Sequence, residues 1–405
     1  MKKVLFASVA AIAFGAVSAQ AAEPVKLGIG GYATQWVGYA NQQHTDFGGT
    51  GTVAGQGRTA VDVQDDVNIT FSGSSQLDNG ITVSVEVDAA GTQGTNSTTS
   101  NASNKNIRKS FVTLAGKFGT IEAGEQSNVG ALIHNSSPDV GGIGGQDGNW
   151  MNWVLAPSSH RDTYQRTYAG DDRSANKLIY ITPAFYGVAA GVSYTPSVNL
   201  SQVGHSTIQT GDATALASNG QLQGDLWVYG LAYAAEFGDV SVKADVGSGT
   251  ANVAGLVVYQ GGLNVSYKGF TVGASVLDRD SHNSGVDRQL LSGTALLDTY
   301  AVRKGVSWDA GVSYTTGPYS ASVTYFQGEA QQYKDTSSLG SSATGYDRDS
   351  VWTLAGAYEM GPGVTATASV FYVDYTSAQT NTNQLANKAN VNNGVGAVTG
   401  LTVKF

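Results

Sequence analysis

The 405-residue sequence contains no cysteine, 7 prolines, 3 methionines and only 13% charged residues. Without cysteine there is no disulfide framework and no thiolate metal centre, so backbone pairing and packing must hold the fold. The charged fraction is about half that of an ordinary soluble domain. Basic residues are the scarcer sign, with 22 Lys and Arg against 31 Asp and Glu, a net charge of −9. Neutralising a phosphate backbone needs a basic surface, so nucleic acid is excluded as a partner. Beyond the N-terminus no segment approaches eighteen uninterrupted apolar residues, which excludes a membrane-spanning helix.

What is abundant is glycine, with 53 residues, and tyrosine, with 20. Mean hydropathy is nonetheless slightly polar. A chain charged too sparsely for a soluble surface, yet not apolar on average, fits a sheet whose faces alternate between lipid and water and cancel in any window.

Residues 1–21 read as a secretory signal. Lys2 and Lys3 supply the charged region, Val4 to Val17 the apolar stretch, and Ala19-Gln20-Ala21 a small-x-small cleavage site. The apolar stretch is too short to span a bilayer as a helix. Cleavage before Ala22 removes two lysines and no acid, leaving 20 basic and 31 acidic side chains, or −11.

The mature region, 22–405, repeats one unit: a strand of period two, a short turn, a second strand, then a long polar loop. In the hairpin from Asp66 to Asp88, Val67, Ile69 and Phe71 alternate with Asn68, Thr70 and Ser72, and Asp78-Asn79-Gly80 makes the turn. Sixteen strands are predicted, starting near residues 26, 65, 81, 107, 120, 176, 187, 225, 240, 257, 270, 300, 319, 350, 364 and 394. Short and long junctions alternate strictly between them. Aromatics cap both ends of the apolar faces, as where a barrel crosses two membrane interfaces. The fold class is therefore all-β, a transmembrane antiparallel barrel. Sixteen strands enclose a lumen too wide for side chains to fill, which implies a water-filled channel.

Other motifs lead to bland readings. His44, His134, His160, His205 and His282 fall in predicted loops without metal-ligand spacing. Gly141 to Asp147 resembles a calcium-binding nonapeptide but occurs once, and such solenoids need several copies. Asp171, Asp172, Asp347 and Asp349 read as solvated acids. Trp150 and Trp153 have two readings, packing against the barrel wall or stacking on a sugar. No Gly-x-Ser-x-Gly elbow accompanies the serines, so no enzyme and no cofactor are expected.

Three stretches carry a family resemblance. They are the hairpin Arg108–Gln126 (RKSFVTLAGKFGTIEAGEQ), the terminal strand GVGAVTGLTVKF ending at Phe405, and the block from Arg173 and Asn176 through Tyr180 and Pro183 to Gly187. With these the chain resembles the general diffusion porins of Gram-negative bacteria over essentially its whole mature length. The resemblance implies a homotrimer of sixteen-stranded barrels in the outer membrane, surrounded by its lipid, passing ions and small hydrophilic solutes by passive diffusion. It implies that the third long loop, 127–172, folds into the lumen as a constriction. Within that loop Pro138-Asp139-Val140-Gly141-Gly142 is similar to a Pro-Glu-Phe-Gly-Gly in enterobacterial members. It implies, too, that Phe405 is part of the signal read by the outer-membrane assembly machinery.

Glu125 stands where relatives commonly carry Arg, which favours cations over anions at the neck. Glu125, Asp139 and Asp147 are the acidic constriction candidates; Arg108, Lys109, Arg173 and Lys177 are the basic ones, and the alternation around Phe111 to Ala115 allows either register for the side they face. The competing functions are a solute-specific channel, an outer-membrane hydrolase and a non-conducting adhesin.

Overall fold

The computed structural model describes residues 24–43, 59–91, 107–146, 149–157, 166–169, 175–196, 226–251, 256–281, 291–292, 295–296, 304–331, 345–378 and 391–405. The proposed signal segment, 1–21, lies outside them.

Alternating sequence produces strands wherever it was expected. The N-terminal part contributes β1 (Lys26–Gln42), β2 (Val61–Gln76), β3 (Thr82–Ala90), β4 (Ile107–Gly116), β5 (Gly119–Glu125), β6 (Asn176–Ile181) and β7 (Val188–Thr195). Next come β8 (Leu226–Phe237), β9 (Val240–Ala251), β10 (Leu256–Tyr267) and β11 (Phe270–Ser281). Two short strands, β12 (Leu291–Ser292) and β13 (Ala295–Leu296), pair only with each other. The C-terminal part supplies β14 (Gly305–Thr316), β15 (Tyr319–Gln331), β16 (Tyr346–Gly361), β17 (Val364–Thr376) and β18 (Val391–Lys404).

All strands but β12 and β13 form one closed antiparallel barrel of sixteen. The seam joins β1 to β18 in register from Tyr32 opposite Lys404 to Gln42 opposite Gly394. Phe405 extends it, exchanging backbone hydrogen bonds of 2.9 and 3.1 Å with Gly31. Closure leaves the barrel no open edge, so each of its sixteen strands has a ladder partner on both sides.

Three strand starts differ from expectation by more than three residues. β2 and β16 begin earlier, at Val61 and Tyr346, because the ladder continues through polar residues beyond the apolar span. β14 begins at Gly305, opposite Arg279, rather than near 300. The short turns fall as predicted. At Lys268-Gly269 both residues have positive φ, 45° and 89°, the mirror-image turn that matches strand twist.

One face of each strand is apolar and exposed, as with Trp227, Tyr229 and Leu231 on β8. Aromatic pairs bound this face at two levels, Phe270–Tyr314 and Tyr319–Tyr358 near the short turns, Trp308–Tyr325 and Tyr325–Trp352 toward the long loops. The opposite face points inward. Its residues are mostly small or polar on β2 to β4, but Phe326, Val351, Phe371, Val373 and Val398 form an apolar inner patch on β15 to β18. The sequence reading, which assigned a watery inner face throughout, did not contain that patch.

Candidate functional site

The described residues of the segment that follows β5 lie along the inner wall, from β7 round to β1 and β2. Its first turn is a short helix, α1 (Val129–Ile133), whose N-cap Asn128 accepts the Ala131 amide at 3.1 Å. What lets the chain lie so close is a set of inward glycines on neighbouring strands. A methyl group added at Gly191, Gly230 or Gly262 would sit 2.3, 2.2 or 2.1 Å from Val129, Ile133 or the Asn135 carbonyl oxygen. A side chain at any of them would occupy the loop's space.

Two strand carboxylates then fasten the loop. Asp245 on β9 accepts the Asn135 backbone N–H at 2.7 Å and the Asn135 side-chain amide at 3.1 Å. It also accepts Gln260 Nε2 at 3.1 Å and meets His134 Nδ1 at 3.1 Å. Asp309 on β14 accepts the Ser137 N–H at 3.1 Å and the Ser275 hydroxyl at 2.6 Å. Gln260 adds a second tie, donating to the Gly130 carbonyl at 3.0 Å and accepting the Ala169 amide at 2.6 Å. Charged acceptors taking backbone N–H groups in a water-poor layer make the stronger class of hydrogen bond.

Beyond Pro138 the loop turns on its own acid. Asp139 accepts the amides of Gly141 at 3.0 Å and Gly144 at 2.9 Å. Burial nevertheless pushes its carboxyl above the ordinary Asp value of 3.8, overcoming those backbone donors. Farther on, a 3₁₀ turn, Asn149–Asn152, delivers Trp150, Trp153 and Val154 onto the apolar inner patch. Trp150 is 0% exposed, with its ring 5.2 Å from that of Phe326. Both tryptophans thus follow the packing reading. Leu155 ends the run, donating to Gln42 Oε1 at 2.9 Å and accepting Asn392 Nδ2 at 2.8 Å.

The constriction candidates separate into three groups. Glu125 and Lys177 are buried at the loop root, 5% and 4% exposed. The Lys177 ammonium donates to the carbonyls of Gln126 and Ala175, so it ties the outgoing and returning ends of the segment together. Arg108 and Lys109 sit at a register shift between β3 and β4, where Asp88 pairs with Lys109 but Ala89 pairs with Ile107. The extra residue breaks strict alternation. Arg108 turns to the inner face, pairing with Asp66 at 2.8 Å and reaching Tyr32. Lys109 lies within electrostatic reach of Glu86 and Glu122 on the same face. Asp139 forms the third group, engaged with its own backbone. Asp147 and Arg173 lie outside the described residues, and Phe405 lies on the outer face at the seam, 63% exposed.

His134 departs from the solvated-loop expectation: its ring is buried between Asp245 and Thr167, 2.9 Å from the Thr167 hydroxyl. His44, His160, His205 and His282 lie outside the described residues. Sequence reasoning missed Asp245, Gln260, Ser275 and Asp309. Their signal was an isolated acid or amide at an inward position among small residues, visible once the faces are assigned. Among the described residues, no cluster of three or more His, Cys, Asp or Glu side chains could hold a metal.

A family profile described as Gram-negative porin matches residues 7–399. No curated protein sequence matches the chain. An anion-selective porin from Comamonas acidovorans superposes with a TM-score of 0.57 at 17% identity, covering 94% of this chain and 100% of that one. The trimer form of OmpT, an outer membrane protein of Vibrio cholerae, gives 0.53 at 10% identity, covering 95% and 100%. The outer membrane channel DcaP of Acinetobacter baumannii gives 0.52 at 13%, covering 94% and 97%. At such identities the likeness to these structures is one of fold.

Proposed function

Since the chain belongs to the Gram-negative porin family of outer-membrane channels, we propose that it forms a water-filled pore for passive, size-limited diffusion of ions and small hydrophilic solutes, preferring cations. The observation that carries this reading is a closed sixteen-stranded barrel with one long segment fastened to most of its inner wall. Segment 127–172 is then the constriction. It narrows the lumen from one side and leaves the inner face of β2 to β5 as the opposite wall of the passage. No step is chemical, and the protein is not an enzyme. Sorting comes from the width of the opening and the charges beside it.

The chain is exported by residues 1–21 and inserted with Phe405 as an assembly signal, supported by the position of that residue on the outer face of the seam. It works as a homotrimer, in keeping with the trimer form of the Vibrio cholerae relative in fold. The solute-specific alternative loses its sugar platform, because Trp150 and Trp153 are packed away.

Planar-bilayer recording of purified protein tests the proposal. Stepwise insertions resolving into three equal levels, with a cation-leaning reversal potential in a salt gradient, are expected. Folded, heat-modifiable protein that never conducts would overturn it in favour of a plugged barrel or an adhesin.

A further inference from the structure

Between the described loop residues 127–146 and 149–157 there is a single carboxylate, Asp139, and its oxygens are taken by the Gly141 and Gly144 amides. The opposite wall is different. Alternation on β2, β3 and β5 directs Asp66, Glu86, Asp88 and Glu122 inward, against Arg108 and Lys109 from β4. Arg108 is spent on Asp66 at 2.8 Å, which leaves three carboxylates around one ammonium, Lys109. Asp88 accepts the Thr70 hydroxyl at 2.6 Å and stays half-buried on the lumen side, as does Glu86. Glu122 is 5% exposed; the Gln126 side chain hydrogen-bonds its carboxylate, but its Oε2 has no hydrogen-bond partner among the described residues, and Glu86 and Lys109 both act on it electrostatically. A carboxylate oxygen enclosed without a donor beside two further acids is a seat for positive charge.

We propose that Glu86, Asp88 and Glu122 on the barrel wall, and not the acids of the loop, determine the channel's ion preference by giving small hydrated cations a station opposite the loop. This deepens the channel reading above and rests on it. The loop then sets the width of the passage, while the wall sets the sign. A unit charge roughly 7 Å from a passing ion in water changes that ion's weight by about 2.7-fold before salt screening.

The experiment compares reversal potentials in a potassium chloride gradient for wild type, the Glu86→Gln/Asp88→Asn double variant, Glu122→Gln, Asp139→Asn and Asp147→Asn. Folding of each is checked by heat-modifiable gel mobility. The double variant should lower the cation-to-anion permeability ratio by at least about 3-fold, and the two loop variants should leave it unchanged. Glu122→Gln should move it in the same direction as the double variant; should it fail to fold, the double variant alone decides. A conducting wild type whose ratio follows Asp139 or Asp147 and ignores the wall overturns the inference and leaves the channel reading intact. A wild type that conducts but prefers anions, with the wall variants shifting it further, removes the proposed cation preference and upholds control by the wall. A silent wild type sinks both.

Discussion

Replacing Gly262 by alanine puts the loop's attachment to the wall under direct test. The new methyl group would lie 2.1 Å from the Asn135 carbonyl oxygen and 2.6 Å from Asp245 Oδ1. Carbon and oxygen approach to about 3.3 Å at closest, so the loop must retreat by roughly 1.2 Å. The barrel strand cannot yield instead, because β10 is laddered on both sides. The retreat strikes the 2.7 Å bond from the Asn135 amide to Asp245. Overpacking of this kind costs about 1–3 kcal/mol, and a shift of that size changes a two-state population by about 5- to 150-fold. The displaced segment moves toward the lumen, since the wall lies behind it. Single-channel records should therefore show a smaller main level and more frequent closures at a given voltage, with heat-modifiable mobility unchanged. Gly356→Ala is the control, because its nearest neighbour would be Ser320 O at an ordinary 3.8 Å. Equal conductance and closure frequency in Gly262→Ala and Gly356→Ala would refute the argument that an inward glycine is what admits the loop.

Three further outcomes follow from the same attachments. Trp150→Ala empties the deepest apolar anchor at a cost of about 3–5 kcal/mol, so limited proteolysis should cut near residues 149–157 while the barrel survives; unchanged protection would contradict it. Asp245→Asn removes the charged acceptor shared by Asn135, Gln260 and His134, worth about 1.5–3 kcal/mol, and should raise closure frequency without altering the heat-modifiability temperature by more than the loop's share; records identical to wild type would show that the latch is not needed. Asp139 titrates above 3.8 in the fold because it is buried, so the folded state holds its proton more tightly than the unfolded chain. Its contribution to stability is then full below 3.8 and lost as pH rises through the raised value. Wild type should gain thermal stability relative to Asp139→Asn as pH is lowered through that window, and parallel curves would refute the assignment.

The barrel was largely legible because period two is a local signal. Val240 to Val246 and Phe270 to Val276 alternate cleanly, and Gly238-Asp239 and Lys268-Gly269 mark the turns before them. The loop's course was not legible, since it depends on contacts between residues more than a hundred positions apart, such as Asn135 with Asp245 and Leu155 with Gln42. The facing of Arg108 and Lys109 could not be resolved for a different reason. The register shift at Asp88/Ala89 suspends alternation there, and neither residue announces it. Lys177 was a basic constriction candidate in the sequence; its place at the root emerges only when β6 is laid against β5. Trp150 and Trp153 were resolved by the inner patch, which is scattered over β15 to β18 and has no local signature.

The far end of the loop bears on how the cylinder stays shut. Covalent continuity links every neighbouring pair of strands in the barrel except β1 and β18, which are joined by hydrogen bonds alone. At that junction Trp153 packs over Gly38 on one strand, beside Val398 on the other, and Asn392 bonds both Leu155 and Gln42. The segment thereby works as an internal cross-tie over the one place where the cylinder could unzip. Seating residues 150–155 and zipping the first strand to the last become a single cooperative event. A loop that loosens at this end weakens the hoop as well as the constriction.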